Sequence, residues 1–254
     1  MAAAPSRRCN HSHYCPPPLS LQHQVRPNHL RPAAELAERV LLPGDPGRAL
    51  AVAQVLLETP PKMFNHARGL WGYTGVAPDG EPLTVQATGM GGPSAAIVCE
   101  ELIALGATRL VRIGTCGALD PELELGTLLA AASVLPVDGT SAALGADAPL
   151  APDPELLERL VAAGARPATI ATSDLFYDPR DGAAAGWIEQ GALAVEMEAA
   201  TILQVAARRG VSAAVVLGVS DVPSSNGSRR LSPEQLEQLG VRVGEAGYAA
   251  LRSP

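Results

Sequence analysis

From residue 35 onward, short apolar segments alternate along the chain with longer segments of helical character. Residues 39–42, 110–113 and 213–219 are short and apolar, whereas residues 93–105 carry a proline in the first turn and are long enough for a helix. Such alternation is typical of α/β proteins, in which helices cover a β-sheet. The sequence therefore predicts a single α/β domain with a central mixed β-sheet flanked by helices.

The other expected elements continue this alternation. The expected strands are residues 71–76, 83–88, 127–134 and 169–172. The expected helices are residues 48–57, 153–163, 183–190 and 196–209, and a last helix capped by Ser232. Pro78, Asp79 and Gly80 predict a hairpin turn, and residues 138–150, rich in glycine, alanine and aspartate, predict a loop.

The first 27 residues differ from the rest of the chain. They are rich in proline, serine, histidine and arginine and have no hydrophobic periodicity. This composition predicts a disordered extension, residues 1–27, before one domain at residues 28–254. Cys9, His11, His13 and Cys15 lie close together in it, but their spacing fits no zinc pattern, so we expect no metal site.

Charge and composition exclude several classes of protein. The net charge of −7 and the pI near 5.2 argue against general nucleic-acid binding, which needs a basic surface. No stretch approaches the roughly 18–20 apolar residues of a membrane span, and no apolar signal segment follows Arg7 and Arg8. The four cysteines include no C-x-x-C pair, which favours a reducing, cytoplasmic location. With 3% aromatic residues, alanine, valine and leucine must build the core.

A glycine-rich turn at residues 43–48 (PGDPGR) leads from a strand into a helix. Backbone N–H groups at such a helix start favour an anion, and Arg48 can add a charge-assisted contact. Gly44 and its neighbours fit an anion site and a purely structural turn equally well.

Arg112 interrupts an otherwise apolar strand. Burying an arginine there is costly without a partner, so Arg112 indicates either a bound anion or a buried acid. Residues 114–117 (GTCG) are expected to form a turn that offers N–H groups and the Thr115 hydroxyl to the same anion.

Acidic residues occur at two further points. Residues 195–198 (VEME) are expected to begin a helix, where Glu196 and Glu198 would stabilise the helix dipole or bind the vicinal hydroxyls of a sugar. Asp221 follows an apolar strand. Partial desolvation would favour its protonated form and suit it to general acid catalysis, although a capping role fits equally well.

Together, the segments PGDPGR, ARGLWGYTG, RIGTCGA, SDLFY, VEMEAA and VSD resemble the nucleoside phosphorylase family in both content and order. This family includes purine nucleoside, uridine and methylthioadenosine phosphorylases of the hexameric type. The resemblance covers the chain after about His29. It implies phosphorolysis of a nucleoside, with inorganic phosphate as co-substrate and no cofactor.

The resemblance also implies a role for each matching residue. Phosphate would be bound by Gly44, Arg48, Arg112 and Thr115, with Arg68 reaching the phosphate site of a neighbouring subunit. The nucleoside would be bound by Phe176, Val195, Glu196, Met197 and Glu198, with His29 lent to the ribose 5′ end in a neighbouring subunit. Asp221 would protonate the departing purine at N7, and Arg229 or Arg230 would assist it. We therefore expect a homo-oligomer, a hexamer built from dimers, with shared active sites.

Several alternatives remain open at the level of the sequence. Asp221 favours purine nucleosides, and the glutamine and arginine that read uracil in uridine phosphorylases are not in register after Phe176, although Arg180 lies close. The segment TGMGGPSAAIVCEE also fits a methylthioadenosine phosphorylase. A nucleosidase of the same fold, using water, would not need Arg48, Arg68 and Arg112. A nucleoside-binding protein without activity would not need both Asp221 and Glu198.

Overall fold

The structure is a computed structural model that describes residues 26–224 and 227–253. The predicted extension falls almost entirely on residues 1–25, which lie outside the described residues, as do Cys9, His11, His13 and Cys15. Residues 26–30 lead into the folded domain, and Leu30 is buried there.

The described residues alternate between strands and helices. The strands are β1 (Arg39–Leu42), β2 (Lys62–Asn65), β3 (Gly72–Val76), β4 (Pro82–Gln86), β5 (Arg109–Ala118), β6 (Leu128–Pro136), β7 (Arg166–Thr172), β8 (Ala192–Glu196), β9 (Ser212–Ser224) and β10 (Gly227–Arg230). The helices are α1 (Pro46–Leu56), α2 (Gly92–Ala104), α3 (Gly139–Ala143), α4 (Pro154–Ala162), α5 (Ala185–Glu189), α6 (Ala199–Arg209) and α7 (Pro233–Leu251), with a 3₁₀ turn at Ala67–Gly69. None of these helices is both long and apolar enough to cross a membrane.

The strands form one mixed sheet in the order β10-β9-β6-β7-β8-β5-β1-β4-β3-β2, and β9 also pairs with β5. That additional pairing closes β5, β9, β6, β7 and β8 into a ring of five strands. The strands β1, β4, β3 and β2 extend from β5 as an open wing. The predicted α/β fold with a central mixed sheet is confirmed, and so is the antiparallel hairpin β3–β4.

Helices cover the sheet on two sides, and small apolar residues fill both layers. One core cluster joins α2 and α6 to the ring strands and includes Val98, Leu102 and Ile202. The other joins α1, α4 and α7 to β1, β4 and β5. Helix α7 packs closely on α1 because Gly244 has no side chain: a Cβ there would lie 2.7 Å from Val52 Cγ2.

Three expected local structures are wrong. Residues 195–198 do not begin a helix, because Val195 and Glu196 belong to β8, which pairs with β5 and β7, and α6 starts at Ala199. Residues 114–117 are not a turn, because β5 continues through them and pairs with β9. The loop expected at residues 138–150 contains α3, which the side chain of Asp138 caps by accepting from Ser141 N.

Asp221 lies within a strand rather than beyond its end, because β9 continues for three residues after it. The strands β2, β8 and β10 were not expected. Each is only four or five residues long. Strands are marked by β-branched and aromatic residues, and β10 (GSRR) has none of these while β8 (ALAVE) has only Val195. Pairing with neighbouring strands fixes their conformation instead.

A buried ion pair fastens the C-terminus to the wing of the sheet. Arg39 is 2% exposed and donates to both carboxylate oxygens of Asp79, over 2.5 and 2.6 Å. The backbone N–H of Ser253 donates to the same carboxylate, and the backbone N–H of Asp79 donates to the Tyr248 hydroxyl. This C-terminal clasp (Arg39, Asp79, Tyr248 and Ser253) joins β1, the β3–β4 turn and the end of α7.

Replacing Asp79 with asparagine is expected to lower the free energy of unfolding at neutral pH by roughly 3 kcal/mol, because Arg39 would stay buried without a countercharge. Hydrogen bonds from Arg39 hold the pKa of Asp79 well below its ordinary value, so the unfolded chain binds this proton more tightly. The stabilisation is therefore complete above the ordinary aspartate pKa of about 3.9 and is lost as the pH falls below it. Urea unfolding at neutral and at acidic pH measures both effects.

The control is Glu155→Gln, which removes the partner of Arg159 in a pair on the surface of α4. The Glu155 side chain is 72% exposed, and exposed pairs contribute little to stability. Equal stability losses in the two variants would contradict a stabilising role for the clasp.

Candidate active site

The turn after β1 carries Gly44 and Arg48. Asp45 caps α1 by accepting a hydrogen bond from the backbone N–H of Arg48 at 2.7 Å, and Pro46 occupies the first turn. Arg48 is half-buried and lies against α7, where a Cβ on Gly240 would come within 3.1 Å of Arg48 Nε. Burial lowers the pKa of Arg48. The N-terminus of α1 and this guanidinium thus present positive charge from one short segment.

Arg112 is buried at 3% exposure and is held by two carboxylates. Its Nε donates to Glu196 Oε2 at 2.8 Å, and its Nη2 forms an ion pair with Glu198. Burial alone lowers the pKa of Arg112, but the two carboxylates more than offset burial, and the pKa is raised. The sequence predicted either a buried acid or a bound anion beside Arg112. The buried acids are present, and Nη1 is the one guanidinium nitrogen that they do not bond.

The remaining nitrogen, Arg112 Nη1, is buried and has no hydrogen-bond partner among the described residues. It lies 4.0 Å from the position that a Cβ on Gly44 would take, and that Cβ would also lie 3.2 Å from Gly89 O. A buried donor without a partner needs an acceptor, which water or a ligand can supply. The absence of a side chain at Gly44 keeps the space beside this donor open.

Glu196 is buried and bonds several elements at once. Its carboxylate accepts hydrogen bonds from the Thr172 hydroxyl at 2.6 Å and from the backbone N–H groups of Glu198 and Ala199 at 2.9 Å, in addition to Arg112. These bonds join β7, β8 and β5 to the start of α6. Glu196 therefore holds Arg112 and α6 in place.

Glu198 stands at the N-cap position of α6 and is 4% exposed. One oxygen accepts from the backbone N–H of Gly91 at 2.5 Å, and the other pairs with Arg112. Burial raises the pKa of Glu198 even though Arg112 opposes the shift. Met197 precedes it and is half-buried. Each oxygen keeps acceptor capacity for a further donor, such as a hydroxyl group.

Four residues on four adjacent strands form a row across the sheet. Val195 is registered with Gly117, Gly117 with Asp221, and Asp221 with Arg230. Directly paired residues point to the same face of a sheet, and a Cβ on Gly117 would lie 3.0 Å from Asp221 Oδ2. The absence of a side chain at Gly117 thus lets the Asp221 carboxylate lie close to the backbone of β5.

A bulge in β9 aims Asp221 into this row. The register shifts between Cys116 and Gly117, so that Ser220 is the extra residue. The Ser220 hydroxyl bonds both Cys116 O, at 3.1 Å, and Asp221 Oδ1, at 3.0 Å. Bulges of this kind redirect side chains and occur beside active sites.

An exposed aromatic residue, Phe176, lies beside Arg230, the last residue of this row. Phe176 is 60% exposed, and the Arg230 guanidinium lies 5.8 Å from the centre of its ring. Arg229 is registered with Val222, so it faces away from Asp221. Of the two arginines considered from the sequence, Arg230 is the one on the Asp221 face. Thr115 lies on β5, half-buried and two residues before Gly117.

Arg68 and His29 are not joined to this group by any hydrogen bond or ion pair within the described residues. Arg68 is exposed and adopts a left-handed backbone conformation with φ of 59°. His29 is bonded to Glu101 on α2. The other predicted site residues lie on β5, β8 and β9 or in the segments that follow β1, β7 and β8.

Several positioning groups were not found from the sequence. Thr172, Gly91 and Ser220 act through hydrogen bonds that no sequence pattern predicts. Glu101 had a usable signal, because it lies on the apolar face of α2 with Val98 and Leu102. Across the described ranges, no group of three histidine, cysteine, aspartate or glutamate residues is placed to hold a metal ion.

Comparison with known proteins finds similar bacterial sequences. A purine nucleoside phosphorylase DeoD-type from Caldanaerobacter subterraneus subsp. tengcongensis is 40% identical over 200 residues, covering 74% of this chain and 84% of that protein. Proteins of the same name from Geobacillus kaustophilus and Alkaliphilus metalliredigens are 38% and 35% identical over 196 and 216 residues. They cover 74% and 82% of this chain, and 82% and 92% of their own lengths. The family model of the phosphorylase superfamily matches residues 38–252, and the chain belongs to this superfamily.

Proposed function

We propose that this chain is a purine nucleoside phosphorylase, a pentosyltransferase that converts a purine nucleoside and inorganic phosphate to free base and ribose 1-phosphate. The main observation behind the proposal is that Arg112 Nη1 is buried beside Gly44 and has no hydrogen-bond partner among the described residues. The names of the relatives in three bacteria support the same reaction.

Phosphate would occupy the space beside Gly44, where Arg48, Arg112 and the Thr115 hydroxyl supply donors. Within one chain, Asp45 and Glu198 oppose the charge of Arg48, and Glu196 and Glu198 oppose the charge of Arg112, so the arginine charges are already balanced before phosphate arrives. A phosphate dianion therefore calls for a further positive charge. Arg68, exposed on its strained turn, would supply it to a neighbouring subunit of a homo-oligomer with shared sites, and the proposed full assembly is a hexamer.

Ribose would lie between the phosphate and the base. Glu198 would accept hydrogen bonds from the 2′ and 3′ hydroxyls, and Met197 would pack against the sugar. Glu196 would contribute indirectly, because its carboxylate holds Arg112 and the start of α6. His29 of a neighbouring subunit would reach the 5′ end.

The base would occupy the space above Gly117, between Val195 and Asp221, with Phe176 stacked on it. Arg230, opposite Asp221 on β10, would assist proton transfer. Arg180, which lies near the uracil-reading position of uridine phosphorylases, is bonded to both oxygens of Asp178, over 2.8 and 2.6 Å. This engagement favours a purine over uracil.

The reaction follows from these charges. The glycosidic bond breaks with positive charge developing on the sugar, which the bound phosphate anion offsets before forming the new C–O bond. Negative charge develops on the purine, and Asp221 donates a proton to N7. Phosphate is itself the nucleophile, so the scheme uses no covalent enzyme intermediate and no cofactor. The protein contributes position and preorganised charge.

The proposed setting is the cytoplasm, in nucleoside catabolism and purine salvage. Cys99 and Cys116 are buried free thiols, and burial raises the pKa of Cys99 to about 12. Such thiols are unreactive packing groups and fit a reducing compartment.

The experiment that tests this function is release of base from inosine, adenosine, methylthioadenosine and uridine, each with and without phosphate. Release that requires phosphate and is fastest with a purine nucleoside is the expected result. Equal release without phosphate would make the chain a nucleosidase, and preference for uridine would place it in the pyrimidine branch. Either result would overturn the proposal.

Replacing Asp221 with asparagine is expected to lower kcat by about 10²–10⁴-fold, because asparagine cannot donate the proton to N7. The measurement is steady-state phosphorolysis of inosine and adenosine. The phosphate KM should change little, since the phosphate groups are untouched. Undiminished turnover would contradict the general-acid role.

Replacing Arg230 with alanine is expected to lower kcat roughly tenfold or more, through loss of a positive charge on the Asp221 face. Arg229→Ala is the matched control, because this neighbour faces away from Asp221. Kinetics of the two variants side by side decide the point. Equal effects would show that β10 contributes only structure or general charge.

Replacing Gly44 with alanine is expected to raise the phosphate KM at least tenfold, because the new methyl group would fill the space beside Arg112 Nη1. Gly186→Ala is the control, since a Cβ there meets no atom within 4 Å. An unchanged phosphate KM in Gly44→Ala would show that phosphate does not bind at this turn.

A further inference from the structure

Glu101 is a buried carboxylate that holds the segment carrying His29. It lies on α2 and is 4% exposed. The consecutive backbone N–H groups of Asn28, His29 and Leu30 all donate to it, over 3.0, 3.0 and 2.7 Å. His29 Nδ1 lies 2.7 Å from Glu101 Oε1. Four donors from three adjacent residues thus converge on one side chain.

These bonds determine which nitrogen of the His29 ring carries a proton. Burial raises the pKa of Glu101, but the hydrogen bonds from Leu30, Asn28 and His29 prevail and lower it. An ionised carboxylate can only accept, so Nδ1 must donate. In the neutral ring, Nε2 then has no hydrogen and is an acceptor.

A second contact fixes the direction of the same segment. The backbone N–H of Arg31 donates to the buried side chain of Asn65 at 2.9 Å, and Ala33 N–H donates to Phe64 O at 2.8 Å. The His29 side chain remains 29% exposed, and no described residue bonds its Nε2. The ring is therefore held rigidly with its acceptor nitrogen outward.

We propose that Glu101 is a positioning residue that presents His29 Nε2 as a hydrogen-bond acceptor, so that the active site selects nucleosides with a 5′-hydroxyl over those with a 5′-thioether. The inference rests on the proposed function, in which His29 serves the ribose 5′ end of a neighbouring site. It narrows the substrate class and separates the two purine branches that the sequence leaves open.

The selection follows from the chemistry of the two 5′ groups. A hydroxyl donates its proton to Nε2, whereas a methylthio group has no proton to donate and leaves the acceptor unpaired. Sites built to bond a hydroxyl discriminate against ligands that lack it. We expect adenosine to exceed both 5′-deoxyadenosine and methylthioadenosine roughly 10–100-fold in kcat/KM.

The test compares these three substrates in the full-length protein and in the variants His29→Ala, Glu101→Gln and the double variant. Glutamine places an NH₂ group where the carboxylate accepted N–H groups, so the His29 segment loses its anchor. Each single variant should reduce the preference for adenosine to a few-fold, and the double variant should reduce it no further. Glu100→Gln is the control, because Glu100 pairs with Arg209 on the outer side of the same helix.

Two results would overturn the proposal. One is a wild-type protein with no preference for a 5′-hydroxyl, and the other is a Glu101→Gln variant that slows all three substrates equally and so acts on structure alone.

If a variant folds poorly, the proposal can be tested on the wild-type protein without measuring turnover. The ¹⁵N shifts of the imidazole nitrogens in the wild-type protein, assigned with His29→Ala, should show Nδ1 protonated and Nε2 unprotonated. The opposite tautomer would overturn the proposal. Absence of phosphorolysis with every purine nucleoside would instead overturn the proposed function, and the ¹⁵N result would still decide the role of Glu101.

Discussion

The buried group formed by Arg112, Glu196 and Glu198 is the interaction on which the rest of the site depends. Arg112 lies in the strand that joins the five-stranded ring to the wing, so its charge must be matched inside the protein. Glu196 matches it while also bonding Thr172 and the first N–H groups of α6. Loss of Arg112 would leave two buried carboxylates without their countercharge, at a cost of about 3–5 kcal/mol. The same carboxylate therefore fixes both the start of α6 and the position of Arg112.

The charges of this group do not complete the proposed phosphate site within a single chain. Asp45, Glu196 and Glu198 oppose the charges of Arg48 and Arg112, yet Arg112 Nη1 has no hydrogen-bond partner among the described residues and burial raises the pKa of Glu198. These features suit a site for an anion and a polyhydroxylated ligand. They also favour a third cation from outside the chain, and Arg68 is exposed on a turn with a strained backbone. Charge balance thus links the proposed chemistry to the proposed assembly.

The sequence predicts the general fold well because alternating apolar segments report burial directly. It also identifies Arg112, since an arginine in an apolar strand demands an explanation. It fails at β8, where ALAVE has Val195 as its one β-branched residue and pairing on both sides fixes the conformation. It fails at Ser220 for a related reason: the bulge arises from the register between β5 and β9, which lie about a hundred residues apart.

Glu101 and Glu196 hold other site residues in the same way. Each is a buried carboxylate whose oxygens accept consecutive backbone N–H groups and side-chain donors, one for Glu101 and two for Glu196. Glu196 thereby fixes Arg112, and Glu101 fixes His29. A buried acid bonded in this way cannot shift without breaking several hydrogen bonds at once. The side chain that is bonded to it is therefore held rigidly as well. In both cases a buried acid determines the position of a side chain to which the proposed function assigns ligand binding.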